Sequence, residues 1–216
     1  MAELVDAPDS KSGGGDTVWV RFPLRAPASV TSYGPPLNFC SNCGAPVALK
    51  VPAGDHLPRF VCTNCGVIHY KNPLLVLGCV PEWEDRILLC RRAIEPRLGF
   101  WTVPAGFMEN GETLQRAAAR ECQEEALADV VIGSLLAVVS VTHASQVHVM
   151  FRAKLIKPEF APGPESLEVG LYAESEIPWA DLAFPSGEFT LRRYFADRSA
   201  GREDHHFAEL TRPLKP

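Results

Sequence analysis

The chain has 216 residues, of which 46% are hydrophobic and 22% charged, and its formal net charge is −5 at pH 7. This globular composition excludes collagen-like, coiled-coil and wholly disordered chains, and the negative charge argues against a general nucleic-acid binder. The sequence shows neither a run of about 18 apolar residues nor the pattern of a secretory signal, so we expect a cytoplasmic protein without a membrane span.

The first 36 residues differ in composition from the rest of the chain. They contain a glycine triplet and the prolines Pro8, Pro23 and Pro27, and they show no helical period. We therefore predict that residues 1–36 are a disordered extension. This segment also resembles the conceptual translation of a transfer-RNA gene. A start codon assigned too early and a genuine flexible leader both remain open.

Residues 37–72 hold two CxxC pairs, formed by Cys40 with Cys43 and by Cys62 with Cys65. Each pair can form a tight turn that directs two thiolates to one point, and the spacing is typical of zinc sites. The alternatives are two disulfides, which a reducing compartment disfavours, or four unrelated buried cysteines. Since four protein ligands leave no open position for water, we predict a structural zinc ion rather than a catalytic one.

From residue 73 onwards the pattern predicts strands and helices. Two apolar runs at 74–80 and 86–92 flank a turn-like segment and predict a hairpin. Further strands and helices follow, and the order β, β, α, β, β, β, α predicts a mixed sheet with helices packed on it. We assign this domain to residues 73–200 and a C-terminal tail to 201–216. The helices are predicted at 112–126 and 187–197, and the later strands at 135–143, 146–156 and 167–173.

The first predicted helix carries three carboxylates on one face of its C-terminal end. Glu121, Glu124 and Glu125 stand at positions i, i+3 and i+4. This arrangement is unfavourable, because like charges repel and the end of a helix is already partly negative. A divalent cation would relieve the repulsion, and carboxylate oxygens suit Mg²⁺ or Mn²⁺. The alternative is a solvated acidic face, but the preceding loop contains Gly106, where backbone can approach a ligand closely.

Residues 106–128 resemble the signature of the Nudix hydrolases, G-x5-E-x7-R-E-U-x-E-E-x-G-U, in which U is apolar. The match has no gap. Leu127 stands where the family has glycine, and since that glycine normally helps the chain to leave the helix, the local turn is the part in doubt. The charged positions of the signature are all present: Glu112, Arg120, Glu121, Glu124 and Glu125.

The resemblance implies both a fold and a reaction. The fold is of the α/β class, in its α+β form: a Nudix α/β/α sandwich with a mixed sheet, preceded by a small four-cysteine zinc ribbon. The reaction is metal-assisted attack of water on a diphosphate linkage, with Mg²⁺ or Mn²⁺ as the catalytic ion and Zn²⁺ as the structural one. Glu121, Glu124 and Glu125 would ligate the catalytic metal, and the backbone near Gly106 would add a carbonyl.

Other site residues follow from the same resemblance. Arg120, together with Glu112, would orient the carboxylates; an exposed arginine is the alternative. Glu168 matches, by its position before a tyrosine, the downstream glutamate that completes the metal site or serves as base in related enzymes. A surface glutamate is the equal alternative.

Substrate-binding candidates come from the hairpin and the segment that follows it. Arg91 and Arg92 could hold phosphates, although adjacent strand residues face opposite ways, so at most one should point into the site. Trp101 could stack on a base, but a packed core aromatic is the commoner role. The stretch at 184–187 could line the substrate cleft.

Two features bear on the substrate. The ribbon and the HYKNP segment after it resemble the Nudix branch that includes NADH pyrophosphatases, but the SQPW-type motif of those enzymes is missing from THASQVHVMF at 142–151. The ribbon and the segment at 161–184 resemble the group containing plant plastid FAD pyrophosphatases. We therefore expect a small-molecule nucleotide substrate that yields AMP, with FAD ahead of ADP-ribose and both ahead of NADH.

Rival functions remain at this point. A non-catalytic nucleotide sensor would not need Glu121, Glu124 and Glu125, and the ribbon has few basic residues for a nucleic-acid module. Removal of NAD caps from RNA is an intermediate case that stays open. A homodimer is the candidate assembly.

Overall fold

The computed structural model describes residues 37–211. The predictions made for residues 1–36 and for 212–216 lie outside this part of the chain. The described strands form two separate sheets, one of three strands and one of eight. Within this range, no helix is long and apolar enough to cross a membrane.

The three-stranded sheet carries the two CxxC pairs. It consists of β1 (Val47–Lys50), β2 (Arg59–Cys62) and β3 (Ile68–His69), all antiparallel, with β2 in the middle. A glycine follows each CxxC pair, and both Gly44 and Gly66 have φ of 72°. Glycine adopts this left-handed conformation without steric strain, so both chain segments can turn sharply after their cysteines.

The second sheet has eight strands, in the order β10-β5-β4-β9-β8-β11, with β6 beside β5 and β7 beside β4. Their bounds are β4 (Leu74–Trp83), β5 (Arg86–Arg92), β6 (Trp101–Thr102), β7 (Ala105–Phe107), β8 (Val130–Val141), β9 (Gln146–Leu155), β10 (Ser166–Tyr172) and β11 (His206–Leu210). β9 is parallel to β4 and β11 is parallel to β8, whereas the other pairs are antiparallel. The sheet is therefore mixed, as predicted.

Two α-helices cover this sheet: α1 (Leu114–Ala126) and α2 (Pro185–Ala200). Leu88 of β5 packs in a buried cluster with Cys122 of α1, whereas its neighbour Leu89 packs in another cluster with Leu191 of α2. Since successive strand residues point to opposite faces, the helices lie on the two sides of the sheet. This arrangement confirms the predicted α/β/α sandwich.

The helix boundaries differ slightly from the prediction. α1 begins at Leu114 rather than at residue 112, because the Thr113 hydroxyl accepts a hydrogen bond from the Arg116 backbone N–H at 3.3 Å and caps the helix. α2 begins earlier than predicted, with Pro185 in its first turn, and ends later, before Gly201 at φ 64°. Proline at the start and glycine after the end are the usual helix limits.

Part of the segment predicted as a C-terminal tail, residues 201–216, is a strand, because His206–Leu210 forms β11 at the edge of the sheet. Asp197 of α2 explains this docking. Its buried carboxylate accepts hydrogen bonds from Arg152 of β9 and from His206 Nε2, the latter at 2.9 and 3.0 Å. A buried carboxylate needs such partners, so the cluster fixes the chain that follows α2.

Candidate active site

The strands β4 and β5 run side by side only at their hairpin end. Glu82 pairs with Ile87 and Trp83 with Arg86; beyond these pairs, β7 lies beside β4 and β6 lies beside β5. A cavity of about 1100 Å³ lies where the strands separate. Its lining includes residues of β4 to β7, of β9, of the C-terminal part of α1 and of the start of α2.

Three carboxylates of α1 line this cavity. Glu121 and Glu125 are only 8% and 6% exposed, whereas Glu124 is open to solvent. Glu125 Oε2 accepts a hydrogen bond from the Ala105 backbone N–H at 3.0 Å. Burial raises the pKa of Glu125 to about 8 and also raises the pKa of Glu121. A nearby cation would favour the ionised form of both groups.

Arg120 connects the acidic residues of α1. Its Nη1 donates to Glu121 Oε1 at 2.7 Å and to Glu124 Oε2 at 2.9 Å. Its Nε and Nη2 donate to the two oxygens of Glu112 at 3.1 and 2.8 Å, and Nη2 also donates to the Phe107 carbonyl at 3.0 Å. Arg120 lowers the pKa of Glu112 to about 2. Glu112 therefore holds the guanidinium, which in turn orients two carboxylates.

Gly106 of β7 lies against the acidic helix. A Cβ at this position would overlap both carboxylate oxygens of Glu121. The backbone of β7 can therefore approach the carboxylates closely only because residue 106 has no side chain.

The four cysteines of the small sheet form a second candidate metal site. The Sγ atoms of Cys40 and Cys65 are 3.7 Å apart, and Cys43 Sγ lies 3.5 Å from both Cys62 and Cys65. In a tetrahedral site with Zn–S bonds of about 2.3 Å, the sulfurs would be about 3.8 Å apart. Backbone N–H groups of Asn42 and Asn64 point to Cys40 and Cys62 Sγ at 3.4 Å. The arrangement can hold a zinc ion.

These two sites agree with the comparison of the chain with known protein families. A family model described as "NUDIX domain" matches residues 73–192, and a zinc-ribbon model described as "Nudix N-terminal" matches residues 38–71. The chain belongs to the Nudix family. The predicted zinc-ribbon and Nudix organisation is thereby confirmed.

The chain is also similar to individual curated proteins. The chain is 30% identical over 133 residues to an NAD-capped RNA hydrolase NudC of Stutzerimonas stutzeri, covering 61% of this chain and 46% of that protein. It is 30% identical over 162 residues to the NudC of Photobacterium profundum, covering 75% of this chain and 58% of that protein. The chain therefore spans about half the length of the curated relatives it matches.

Solved structures show the same fold. A Nudix hydrolase from Nitrosomonas europaea is 52% identical, with a TM-score of 0.79, and the match covers 82% of this chain and 100% of that one. An ADP-ribose pyrophosphatase from Streptococcus suis shares the fold at 22% identity and a TM-score of 0.52, over 63% of this chain and 99% of that one.

The acidic residues of the Nudix domain also suit a divalent metal. They supply hard oxygen donors, and Glu125 is buried with a backbone N–H as its hydrogen-bond partner. Among residues 37–211, only the four cysteines bring three or more potential ligand atoms within 4.8 Å of one another. Glu121, Glu124 and Glu125 are spread more widely, with Arg120 bound to the first two.

Only one of the two hairpin arginines reaches the cavity. Arg92 is part of its lining; the guanidinium lies 5.2 Å from the Phe184 ring centroid, and Nε donates to the Pro96 carbonyl at 2.9 Å. Arg91 instead lies 3.7 Å from Glu168 Oε2. The structure thus places Arg91 and Glu168 together outside the cavity lining.

Trp101 is also outside the cavity lining. Its ring packs edge-on against Tyr172 at 5.1 Å, beside the core under α2. The stretch at 184–187, by contrast, does line the cavity. Trp101 thus has the packing role that the sequence left open, and Phe184 is the aromatic residue next to Arg92.

Glu165 is a cavity residue that the sequence analysis missed. It lines the cavity, and its charge contributes to the raised pKa values of Glu121 and Glu125. The loop before it is fixed to the end of α1, since Ala161 N–H donates to the Ala126 carbonyl at 2.9 Å and Gly163 N–H to the Glu125 carbonyl at 3.0 Å. The Pro-Gly-Pro sequence directly before Glu165 is the signal that could have indicated a tightly placed loop.

Leu127 ends α1 in the conformation that a glycine would adopt. Its φ is 48° and its ψ is 35°, and its backbone N–H donates to the Gln123 carbonyl at 3.0 Å. The turn after the helix is therefore made without the Nudix glycine. A left-handed conformation costs a non-glycine residue about 1–2 kcal/mol.

Proposed function

We propose that this Nudix protein hydrolyses the diphosphate linkage of an adenine-containing dinucleotide or nucleotide sugar and releases AMP. The observation that carries the proposal is the position of Glu121, Glu124 and Glu125 on the wall of a cavity that also contains Arg92. Acidic residues for a cation and an arginine for phosphate are the groups that a charged diphosphate requires.

In this proposal Mg²⁺ or Mn²⁺ is held by Glu121, Glu124 and Glu125. When bound, the ion would neutralise phosphate charge and lower the pKa of water. Glu112 holds the Arg120 guanidinium by two hydrogen bonds. Arg120 in turn donates to Glu121 and Glu124 and so positions these carboxylates. Zn²⁺ bound by the four cysteines has the separate task of stabilising the ribbon.

Arg92 and Glu165 are the further proposed contributors. Arg92 is oriented by the Phe184 ring and the Pro96 carbonyl, so its terminal N–H groups can donate to phosphate oxygens. Glu165 reaches the cavity from a loop fixed to α1 and is our candidate for accepting the proton of the attacking water.

The substrate ranking rests on resemblance. FAD and ADP-ribose come first, because the ribbon and the segment at 161–184 resemble the group containing plant plastid FAD pyrophosphatases. NADH ranks lower as a substrate, because the SQPW-type motif is absent. The similarity to NudC proteins favours NAD-capped RNA as a second candidate. The cavity volume of about 1100 Å³ is large enough for a dinucleotide end in either case.

The test is a panel of FAD, ADP-ribose, NADH and NAD-capped RNA with Mg²⁺ or Mn²⁺, assayed for release of AMP or of 5′-monophosphate RNA. We expect hydrolysis that EDTA abolishes, with kcat/KM highest for FAD. Glu124→Gln should lower turnover by roughly 10²-fold or more, because it removes charge at nearly constant shape. Glu209→Gln, on the exposed edge of β11, is the matched control. Full turnover in Glu124→Gln would refute the metal assignment.

A further inference from the structure

The cavity has a second polar feature, on β9. Gln146 and His148 both line it, and they alternate with Val147 and Val149, which pack in the core under α1. Since alternate residues of a strand share a face, Gln146 and His148 lie on the α2 side of the sheet, with Met150. The hydrolytic carboxylates belong to α1, so this pair lies on a different element from the proposed metal ligands.

The two side chains form a hydrogen bond with each other. His148 Nε2 lies 3.0 Å from Gln146 Oε1. An amide oxygen can only accept, so in this orientation of the Gln146 amide the proton of the neutral imidazole is on Nε2. This leaves the Gln146 amino group as a donor and His148 Nδ1 as an acceptor. Burial lowers the pKa of His148 to about 4, so the imidazole is neutral at pH 7 and keeps its acceptor.

The cavity that this pair lines also has apolar walls. Val141, Met150, Phe184 and Pro185 also line the cavity. An apolar pocket with a few polar groups is the usual form of a small-molecule site, in which the polar groups select the ligand.

We propose that Gln146 and His148 select the base of the nucleotide, with the Gln146 amino group donating to N1 of adenine and His148 Nδ1 accepting from the 6-amino group. This inference deepens the proposed function, on which it rests for the identity of the ligand. Guanine, hypoxanthine and uracil present the reverse order, with a carbonyl acceptor beside a ring N–H donor. In this orientation of the Gln146 amide they leave both protein groups unpaired. Cytosine has the same order as adenine but is smaller.

Binding of AMP and IMP to the full chain tests the pair, because these ligands have nearly the same shape and reversed polarity at positions 1 and 6. We expect the wild type to bind AMP more tightly than IMP by about tenfold or more in calorimetry. Gln146→Leu and His148→Phe should each reduce this ratio towards one. Gln115→Leu, on the exposed face of α1, is the control and should keep the ratio.

Gln146→Glu guards against loss of fold, because it is nearly isosteric; it replaces the amino donor by a carboxylate oxygen and adds a negative charge. It should lower the ratio of AMP affinity to IMP affinity, in which the effect of the added charge on the phosphate cancels, while circular dichroism stays close to that of the wild type. The inference would be overturned if the wild type bound AMP and IMP equally well or did not bind AMP measurably. It would also be overturned if folded Gln146→Leu and Gln146→Glu kept the full selectivity for AMP.

The same measurements separate this inference from the proposed function. Hydrolysis of the diphosphate panel together with equal AMP and IMP affinity would remove the base-selecting role alone. Selective AMP binding without hydrolysis of any diphosphate would leave the base site in place and refute the proposed reaction.

Discussion

Gly106 lies so close to Glu121 that a side-chain carbon on residue 106 would overlap the carboxylate. We therefore expect Gly106→Ala to displace β7 or Glu121 and to lower kcat by about tenfold or more, since small displacements in a catalytic site are costly. Steady-state kinetics with AMP release would measure this. Gly187 also lines the cavity, and a Cβ there meets nothing within 4 Å, so Gly187→Ala is the comparison in which the added methyl group has room. Unchanged kcat in Gly106→Ala would show that the contact is unimportant.

The two downstream glutamates should behave differently. Glu165 lines the cavity, whereas Glu168 lies beside Arg91 outside the lining. We expect Glu165→Gln to lower kcat by about 10²-fold, within the usual range for loss of a general base, and Glu168→Gln to have a small effect. The reverse order of the two variants would return the role to Glu168.

Leu127 offers a stability prediction with an internal control. Leu127→Gly should relieve the left-handed strain, and Leu127→Ala should retain it while removing the side chain. Because glycine also increases the entropy of the unfolded chain, we expect the glycine variant to be more stable than the alanine variant by about 1 kcal/mol. Urea unfolding would measure the difference. If the urea unfolding curves of the glycine and alanine variants had equal midpoints and equal slopes, this would argue against strain at residue 127.

His148 should make the stability of the protein depend on pH. Its pKa is about 4 in the folded chain, against 6.5 as the ordinary value. Between these values the unfolded chain binds more protons, so stability is full above pH 6.5 and falls as the pH is lowered towards 4. Unfolding experiments from pH 4 to pH 8 on wild type and His148→Gln would show it: the variant should lose less stability on acidification. Parallel curves would contradict this assignment.

Zinc should affect the ribbon and leave the catalytic metal requirement unchanged. Cys62→Ser removes one of four thiols that lie within 4.8 Å of one another, and we expect loss of bound zinc and of stability in the small sheet. Elemental analysis should give one zinc per wild-type chain. Any folded variant should still need Mg²⁺ or Mn²⁺. A metal-free wild type of unchanged stability would exclude the structural zinc.

The sequence predicted the parts of the fold that depend on local spacing. The CxxC pairs, the acidic helix and the hairpin are each carried by a short pattern, and the structure contains all three. β11 could not be predicted in this way, because five residues give little periodicity and its position depends on the buried carboxylate of Asp197. That interaction joins residues from α2, β9 and β11.

Glu165 was missed for a related reason. It lies directly before β10, and the pairing of β10 with β5 shifts in register between Ser166 and Glu168. Strand alternation therefore does not hold at this point, and the sequence alone cannot tell which acidic residue faces the cavity. The Glu168 prediction was based on distance from a tyrosine, which the shift makes uninformative.

The separation of β4 and β5 has a consequence for how this Nudix domain can change in sequence. The acidic groups are fixed by α1 and the main chain of β7, whereas Gln146 and His148 stand on β9 and Phe184 at the start of α2. Under the proposed function, substitutions at Gln146 and His148 should therefore alter ligand preference and leave the carboxylates of α1 in place. A library randomised at residues 146 and 148 is the natural starting point for directed evolution towards other nucleotides.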